Sequence, residues 1–248
     1  MERMRLGVFI LFVTTLFSGC SIDSGDAPGP QLLAVSYFEN DAEGWIAEFA
    51  DYHEGLEDSM KFDFDFGSVN VQNDIGDLSA IVQEGYATNS ELFMFVKQQV
   101  SGLEPNSRYL VVFNIEFNAQ LLEEYTGLLD TLYLGSYLKA GVFTDEPNTK
   151  VIPDPENQDL NLVVTDFDIG NAAHEKGTDM MNLGFIEHTK VDQSPIVLLG
   201  DNQDDPIYAN SDAEGKLWLA VGIDSNVPIY QAIKYSTIIT EFEYVKPF

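Results

Sequence analysis

Between Leu92 and Asn118 the side chains follow a period of two, and this stretch constrains the chain most. Tyr109, Val111, Phe113, Ile115 and Phe117 fall on one face, and Leu110, Val112, Asn114 and Glu116 on the other. That is a long strand with one face on a core. The preceding segment, Glu91 to Val100, is apolar on both faces, with Leu92, Met94 and Val96 opposed to Phe93 and Phe95. A strand of that kind needs material packed on each side of its sheet. Between the two, Gly102-Leu103-Glu104-Pro105-Asn106-Ser107 has the glycine, proline and asparagine of a tight turn. The two strands read as a hairpin.

The remaining chain repeats the theme. Strands are predicted at Leu32 to Phe38, around Phe62, Phe64 and Phe66, at Tyr133 to Phe143 (firmest from Tyr137 to Val142), and at Leu160 to Phe167. Others fall at Met180 to Ile186, Pro195 to Leu199, Lys216 to Ile223, and Tyr230 to Ile233 with Tyr235 to Tyr244, where Ile239 breaks the alternation. Trp45, Ile46 and Phe49 are expected to return to the core. Asp51 to Gly55, Asn70 to Asp77, Thr144 to Gln158 and Asp168 to Asp179 read as loops, and Asp212 to Gly215 as a hairpin turn. Leu121 to Leu132 has weakly helical spacing, suited to a cap over the sandwich end or an excursion that walls a binding site. Ten to twelve short strands without βαβ alternation give an all-β sandwich or barrel in a single domain.

The formal net charge is -29, from 41 acidic and 12 basic residues. Such a surface repels nucleic acid and anionic membrane, which argues against nucleic-acid partners. Cys20 is the only cysteine, so the folded part forms no internal disulfide. Arg3 and Arg5 precede the short apolar run Leu6 to Phe17, and Ser18-Gly19-Cys20 follows. A basic start, an apolar centre too short to span a bilayer and small residues at the end make a secretory leader. The segment Ser21 to Pro30, rich in serine, glycine and proline, reads as a flexible tether.

Leu16-Phe17-Ser18-Gly19-Cys20 resembles the lipobox of bacterial lipoproteins. The resemblance implies cleavage before Cys20, lipidation of its thiol and stable anchoring in a bilayer by more than one acyl chain. Ser21 in place of aspartate points to the outer membrane, where the host has one. A plain signal peptide cut nearby is the alternative. On this reading residues 1–19 are signal peptide, 20–31 lipidated cysteine and tether, and 32–248 the sandwich.

Phe38-Glu39, Gly44-Trp45 and the turn from Gly102 through Arg108-Tyr109 resemble carbohydrate-binding modules of the galactose-binding-like jelly-roll type. Phe49-Ala50-Asp51-Tyr52, Leu92-Phe93-Met94-Phe95, Tyr137-Leu138-Lys139-Ala140-Gly141 and Leu217-Trp218-Leu219-Ala220-Val221-Gly222 are also similar to a group of uncharacterised bacterial lipoproteins. The first resemblance implies a jelly-roll sandwich that binds glycan. The second implies the same sandwich and brings no function with it.

The site candidates follow from residue chemistry. Trp218 is out of phase with Leu217, Leu219 and Val221, faces away from the main core, and is a candidate sugar platform or the floor of a second layer. Trp45, a second aromatic candidate, is expected in the core, and Tyr125 is a third. Glu39, Asp41 and Asp51 are candidate ligands of a structural calcium, with Asp201, Asp204 and Asp205 a weaker set, against the reading of solvated turn carboxylates. His53, His174 and His188 have no metal-ligand spacing. Glu116 with Glu123 and Glu124 are carboxylates of the kind glycoside hydrolysis uses. Nucleophile-elbow, phosphate-loop and dinucleotide signatures are missing. These features point to an extracytoplasmic binding module for polysaccharide. A structural or protein-interaction envelope lipoprotein and a glycoside-active enzyme are the rivals.

Overall fold

The structure, a computed structural model, describes residues 31–71, 76–87, 91–121, 135–186, 198–226, 228 and 230–247. Cys20 and the tether, Tyr125, His188, Glu123, Glu124 and the leucines from Leu122 to Leu132 lie outside the described residues.

Fifteen strands and one four-residue helix are present among them. Two long strands, β7 (Ser107–Leu121) and β15 (Tyr230–Pro247), form the spine of the first sheet. Each shares its other edge between two shorter strands. On β15 these are β5 (Gly76–Tyr86) and β1 (Gln31–Ser36), and on β7 they are β12 (Leu198–Asp201) and β13 (Ile207–Asn210). β4 (Asp63–Val71) extends the sheet beyond β5. The second sheet runs β11 (Met180–Ile186), β8 (Ser136–Phe143), β14 (Lys216–Ser225), β6 (Leu92–Ser101), β2 (Ile46–Ala50), antiparallel throughout. A small third sheet joins β3 (Tyr52–His53), β10 (Asn161–Thr165) and β9 (Thr149–Pro153). The helix, α1, spans Glu57–Met60.

The chain crosses between the two large sheets from β1 to β2, β5 to β6, β6 to β7, β7 to β8, β11 to β12, β13 to β14 and β14 to β15. The closing strands insert centrally, β14 between β8 and β6, and β15 between β7 and β5. This is jelly-roll winding, and the all-β sandwich expected from the sequence is the fold observed. The core between the two large sheets takes Leu92, Met94 and Val96 from β6, Val111, Phe113, Ile115 and Phe117 from β7, and Leu217, Leu219, Val221 and Ile223 from β14. The faces assigned from alternation are therefore the buried faces.

Several expectations change. β6 and β7 belong to opposite sheets, so the turn between them is a corner and not a hairpin. Both strands point a large apolar face inward, and only opposite sheets allow both faces to meet. The corner is held by its counterpart at Ser211 to Gly215. Leu103 N–H donates to Gly215 O at 3.1 Å, Asn106 N–H to Asp212 O at 3.0 Å, and Glu104 N–H to the Tyr109 hydroxyl at 2.7 Å. Gly215, at φ +73°, is required there, because a Cβ would lie 2.1 Å from Leu103 O. The Asp212 to Gly215 turn likewise crosses between sheets, from β13 to β14.

The predicted loop Thr144 to Gln158 contains β9, an edge strand with too few apolar residues to show a period. The loop Asp51 to Gly55 contains β3, and β4 and β5 continue to Val71 and Gly76, well into the expected 70–77 loop. Ile46 is exposed, whereas Phe49 packs against the core and stacks on Phe62 at 4.1 Å between ring centres. The break at Ile239 is a bulge. The register with β7 slips between Tyr235 and Thr237, so Ile233 and Tyr235 point inward before it and Ile238 and Phe242 after it.

The outer face of the second sheet is apolar too. Phe93, Phe95 and Ala220 are buried there beneath Ile169, Met180 and Phe167, which come from the loops and strands beyond β10. At the centre of the sheet Gly222 lets the strands and rings close up. A Cβ on it would stand 2.6 Å from Phe95 Cβ and 2.7 Å from Met94 O. Gly222→Ala should destabilise the protein by about 1–3 kcal/mol through overpacking against a backbone that cannot retreat. Urea unfolding checks this, and a midpoint equal to the wild type's would show that the sheet relaxes.

Candidate functional site

The outer face of the second sheet can be read row by row from its register. On β14, Trp218 is flanked by Gln99 and Phe143, Ala220 by Lys97 and Gly141, Gly222 by Phe95 and Lys139, and Asp224 by Phe93 and Tyr137. Small residues thus form a trough down the middle, with aromatic rings and two lysines along its sides. Trp218 faces out of the core as its phase indicates, half-buried, with the Lys97 ammonium 6.0 Å from its ring centre.

Both lysines are fully buried and engaged. Lys97 Nζ pairs with Glu48 at 3.2 Å and Glu146 at 2.9 Å, and donates to Pro147 O at 2.9 Å and Asn148 Oδ1 at 2.8 Å. Lys139 Nζ pairs with Asp224 at 2.7 Å and donates to Ile169 O at 2.5 Å. Each lysine therefore fastens part of the covering layer to the sheet beneath it.

Where the cover meets the Asp224 end of the trough it leaves a pocket of about 300 Å³. Asp51 at the end of β2, Glu91 before β6, and Asp224 and Asn226 at the end of β14 line it from the sheet side. Thr165, Phe167 and the loop from Asp168 to Ala173 line it from the cover. Asp168 organises that loop. Its carboxylate accepts from Gly170 N–H at 2.9 Å and from the Thr178 N–H and hydroxyl at 2.8 and 3.0 Å. Those bonds, the Thr178 N–H first, hold its pKa below the usual carboxylate value.

Asp51 is the unusual member. Its backbone is left-handed, at φ +63°, and its N–H donates to Val163 O at 2.7 Å, which turns β2 into β3. The residue is half-buried at the pocket wall. Burial, then repulsion from Asp224 and Glu91, outweigh the attraction of Lys139 and push its pKa up to about 7. Burial also raises Asp224, against the pull of Lys139. Two carboxyl groups in one recess, one protonated near neutrality, can donate as well as accept hydrogen bonds.

The other sequence candidates fall elsewhere. Trp45 is a core residue and not a sugar platform. It is 3% exposed, and its indole N–H donates to Ser36 Oγ at 3.0 Å. Glu39, Asp41 and Asp51 are not gathered, since among the described residues no group of three or more His, Cys, Asp or Glu side chains is placed to hold a metal ion. Asp41 accepts from Glu43 N–H in its own turn. Asp201 accepts from Gln203 N–H, and Asp205 pairs with Lys176 at 3.4 Å, so that acidic run also forms no cation cage. His53 pairs with Asp154 at 3.0 Å and His174 lies beside Tyr137. Glu116 accepts from the Thr237 hydroxyl on the first sheet, away from the pocket. Trp218 is six residues from Asp224 on one strand, roughly 20 Å, and does not line the pocket.

Sequence reasoning missed that the fold brings Asp51 near Asp224 and Lys139. The signal was present in two strands. Lys139 interrupts an apolar run, and Asp224 shares the phase of Trp218, Ala220 and Gly222.

No family model matches the chain, and no curated protein matches it. Among solved structures it is similar to the enzymatically active domain of tailspike protein 4 of bacteriophage CBA120, at 12% identity and a TM-score of 0.36. That match covers 82% of this chain and only 20% of the tailspike chain. It is similar to the CBM22-1 xylan-binding domain of Paenibacillus barcinonensis Xyn10C, at 14% identity and a TM-score of 0.36, covering 86% of this chain and 94% of that one. It is also similar to the mannan-recognising carbohydrate-binding module TmCBM27, at 11% identity and a TM-score of 0.35, covering 88% and 99%. Superpositions this loose carry no residue and no ligand from those proteins to this one. No helix among the described residues is long and apolar enough to cross a membrane.

The raised pKa of Asp51 has a signed consequence. Its folded value lies above the ordinary 3.8, so its contribution to stability is fully present below about pH 4 and is lost as pH rises through about 7. Asp51→Asn should therefore be more stable than the wild type at pH 8, by up to a few kcal/mol, with the gap closing toward pH 4. Paired denaturant titrations across that range check it, and a gap independent of pH would refute the assignment.

Proposed function

We propose that this protein is a lipid-anchored module of the cell envelope, on the outer membrane where the host has one, that binds a glycan in the pocket at the Asp224 end of the second sheet. The observation that carries the reading is the lining of that pocket. Carboxyls, Asn171, Asn226 and Thr165 surround Phe167 and Ile169, which is the mixture of hydrogen-bonding groups and apolar surface that a polyol requires. Its volume lies at the lower end of the range for small-molecule sites, ~300–1,000 Å³, so it suits one end or one branch of a chain. The anchoring rests on the leader, Cys20 and the tether, which run directly into β1.

A glycan-array screen of the detergent-solubilised full chain tests the binding. The expected outcome is a reproducible hit weakened several-fold by Asn171→Ala and left unchanged by Trp218→Ala. The reverse pattern would move the site to the tryptophan end of the trough. A blank with folded protein would move the weight to a protein-interaction role. Anchoring has its own test. Cys20→Ser should abolish labelling by an alkynyl fatty acid in a bacterial expression host and shift the protein from the detergent to the aqueous phase. Retained label on the variant would overturn it.

One observation favours a second reading, glycoside hydrolysis. Asp51 keeps its proton toward neutral pH beside Asp224, as a general acid beside a second carboxylate must. Release of reducing ends from an array hit, lost in Asp51→Asn, would establish it.

A further inference from the structure

We infer that Lys139 and Asp224 are the precursors of an intramolecular amide bond, a crosslink between β8 and β14 that the protein forms on itself with loss of one water. The inference does not rest on the glycan reading. The two side chains lie diagonally on the outer face of the second sheet, Lys139 opposite Gly222 and Asp224 opposite Tyr137. Lys139 is fully buried, Asp224 is 8% exposed, and Nζ stands 2.7 Å from Oδ2. Phe93 flanks Asp224 and Phe95 flanks Gly222 on β6, and Phe167 and Ile169 pack on those rings from the cover.

The two buried lysines differ in their partners. Lys97 has four acceptors around its ammonium, enough for its three N–H bonds. Lys139 has two among the described residues, Asp224 Oδ2 and Ile169 O. As an ammonium it keeps one N–H without an acceptor in a buried site, which is costly. As an amide nitrogen it has every valence used, with one bond to Asp224 Cγ and one N–H donated to Ile169 O.

The step balances within the pair. The Lys139 nitrogen attacks Asp224 Cγ, a C–N bond forms, and one C–O bond of the carboxyl breaks. Two of the three ammonium protons leave on that oxygen as water, and the third stays on the amide. Nothing is oxidised or reduced. Asp51 shares the pocket wall with Asp224 and relays a proton to the departing oxygen, and the pocket gives the water an exit. Neighbours fixed at this range react with effective molarities of up to roughly 10⁵–10⁸ M. A buried ion pair is expensive to desolvate, and the neutral amide removes that cost. Burial also raises the Asp224 pKa, which favours the uncharged acid that an amine attacks. The bond closes a loop from Lys139 to Asp224 that contains β9 to β13, and so the cover they carry. A covalent tie of this kind constrains the unfolded chain as a disulfide does, in a chain whose only cysteine is Cys20. It also consumes the second carboxylate that glycoside hydrolysis would use.

Mass spectrometry of a tryptic digest of the full chain, purified in detergent and denatured before digestion, tests this. The expected result is one branched peptide joining segment 109–150, uncut after Lys139, to segment 217–234, lighter than their sum by one water. Lys139→Arg should give only the separate linear peptides, and Asp51→Asn should lower the joined fraction several-fold. Linear peptides 109–139 and 217–234 from the wild type, with no joined form, would overturn the inference whether or not any variant folds. A joined form that persists in Lys139→Arg would overturn it as well, by placing the crosslink elsewhere. An unchanged joined fraction in Asp51→Asn would overturn the relay assigned to Asp51.

Discussion

The second sheet is apolar on both faces, and the rest of the molecule follows from that. Leu92, Met94 and Val96 on one side of β6 find the first sheet, as in any sandwich. Phe93 and Phe95 on the other side cannot be left against water, since two stacked rings expose too much apolar area. The long excursion between β8 and β14 supplies the cover. It brings Phe143, Phe167, Ile169 and Met180 over the rings and builds β9 and β10 into a third layer that β3 ties back to the chain before it. A two-layer fold thereby gains a partial third layer, and its edge is where a pocket can open.

Covering a sheet with loops raises a problem of placement. Apolar contact alone is non-directional, and a loop can slide on it. The two buried lysines remove that freedom. Lys97 reaches the carbonyl of Pro147 and the side chains of Asn148 and Glu146, and Lys139 reaches the carbonyl of Ile169. Burying an ammonium is expensive, and hydrophobic residues of the same size often serve stability as well. We assign these lysines to position more than to stability. They fix where the cover sits and therefore where it stops.

The sequence carried the sandwich well because its strongest signals are geometric. Alternation in β7 and β14 names the inward faces correctly, and the double-faced β6 calls for a second layer. The corner at Gly102 to Asn106 was misread because a tight turn between two strands has the same residues whether it closes a hairpin or crosses a sandwich. Which one forms depends on the partner sheet, a tertiary fact. β9 was missed because an edge strand in a small outer sheet has no buried face to impose a period. The site was only half legible. Asp51 reads from the sequence as one of three candidate calcium ligands with the turn carboxylates Glu39 and Asp41. Asp224 reads from the sequence as the first residue of a turn, whereas β14 continues to Ser225. Their meeting needs β2 and β14, on either side of β6, to present residues on one face, and no local pattern states that.

The position of Asp51 is the clearest local conflict in the fold. Elsewhere on this face much of the charge is matched: lysine with glutamate, lysine with aspartate, Asp168 with three donors. At Asp51 a left-handed backbone, a half-buried carboxyl and two neighbouring acids coincide. A neutral residue such as asparagine would relieve the repulsion without altering the shape. Structures that are consistent at every other level tend to break their own rules where a site needs them broken. Asp51 lines the pocket, so the carboxyl whose repulsion from Asp224 and Glu91 weakens the fold is also within reach of a ligand.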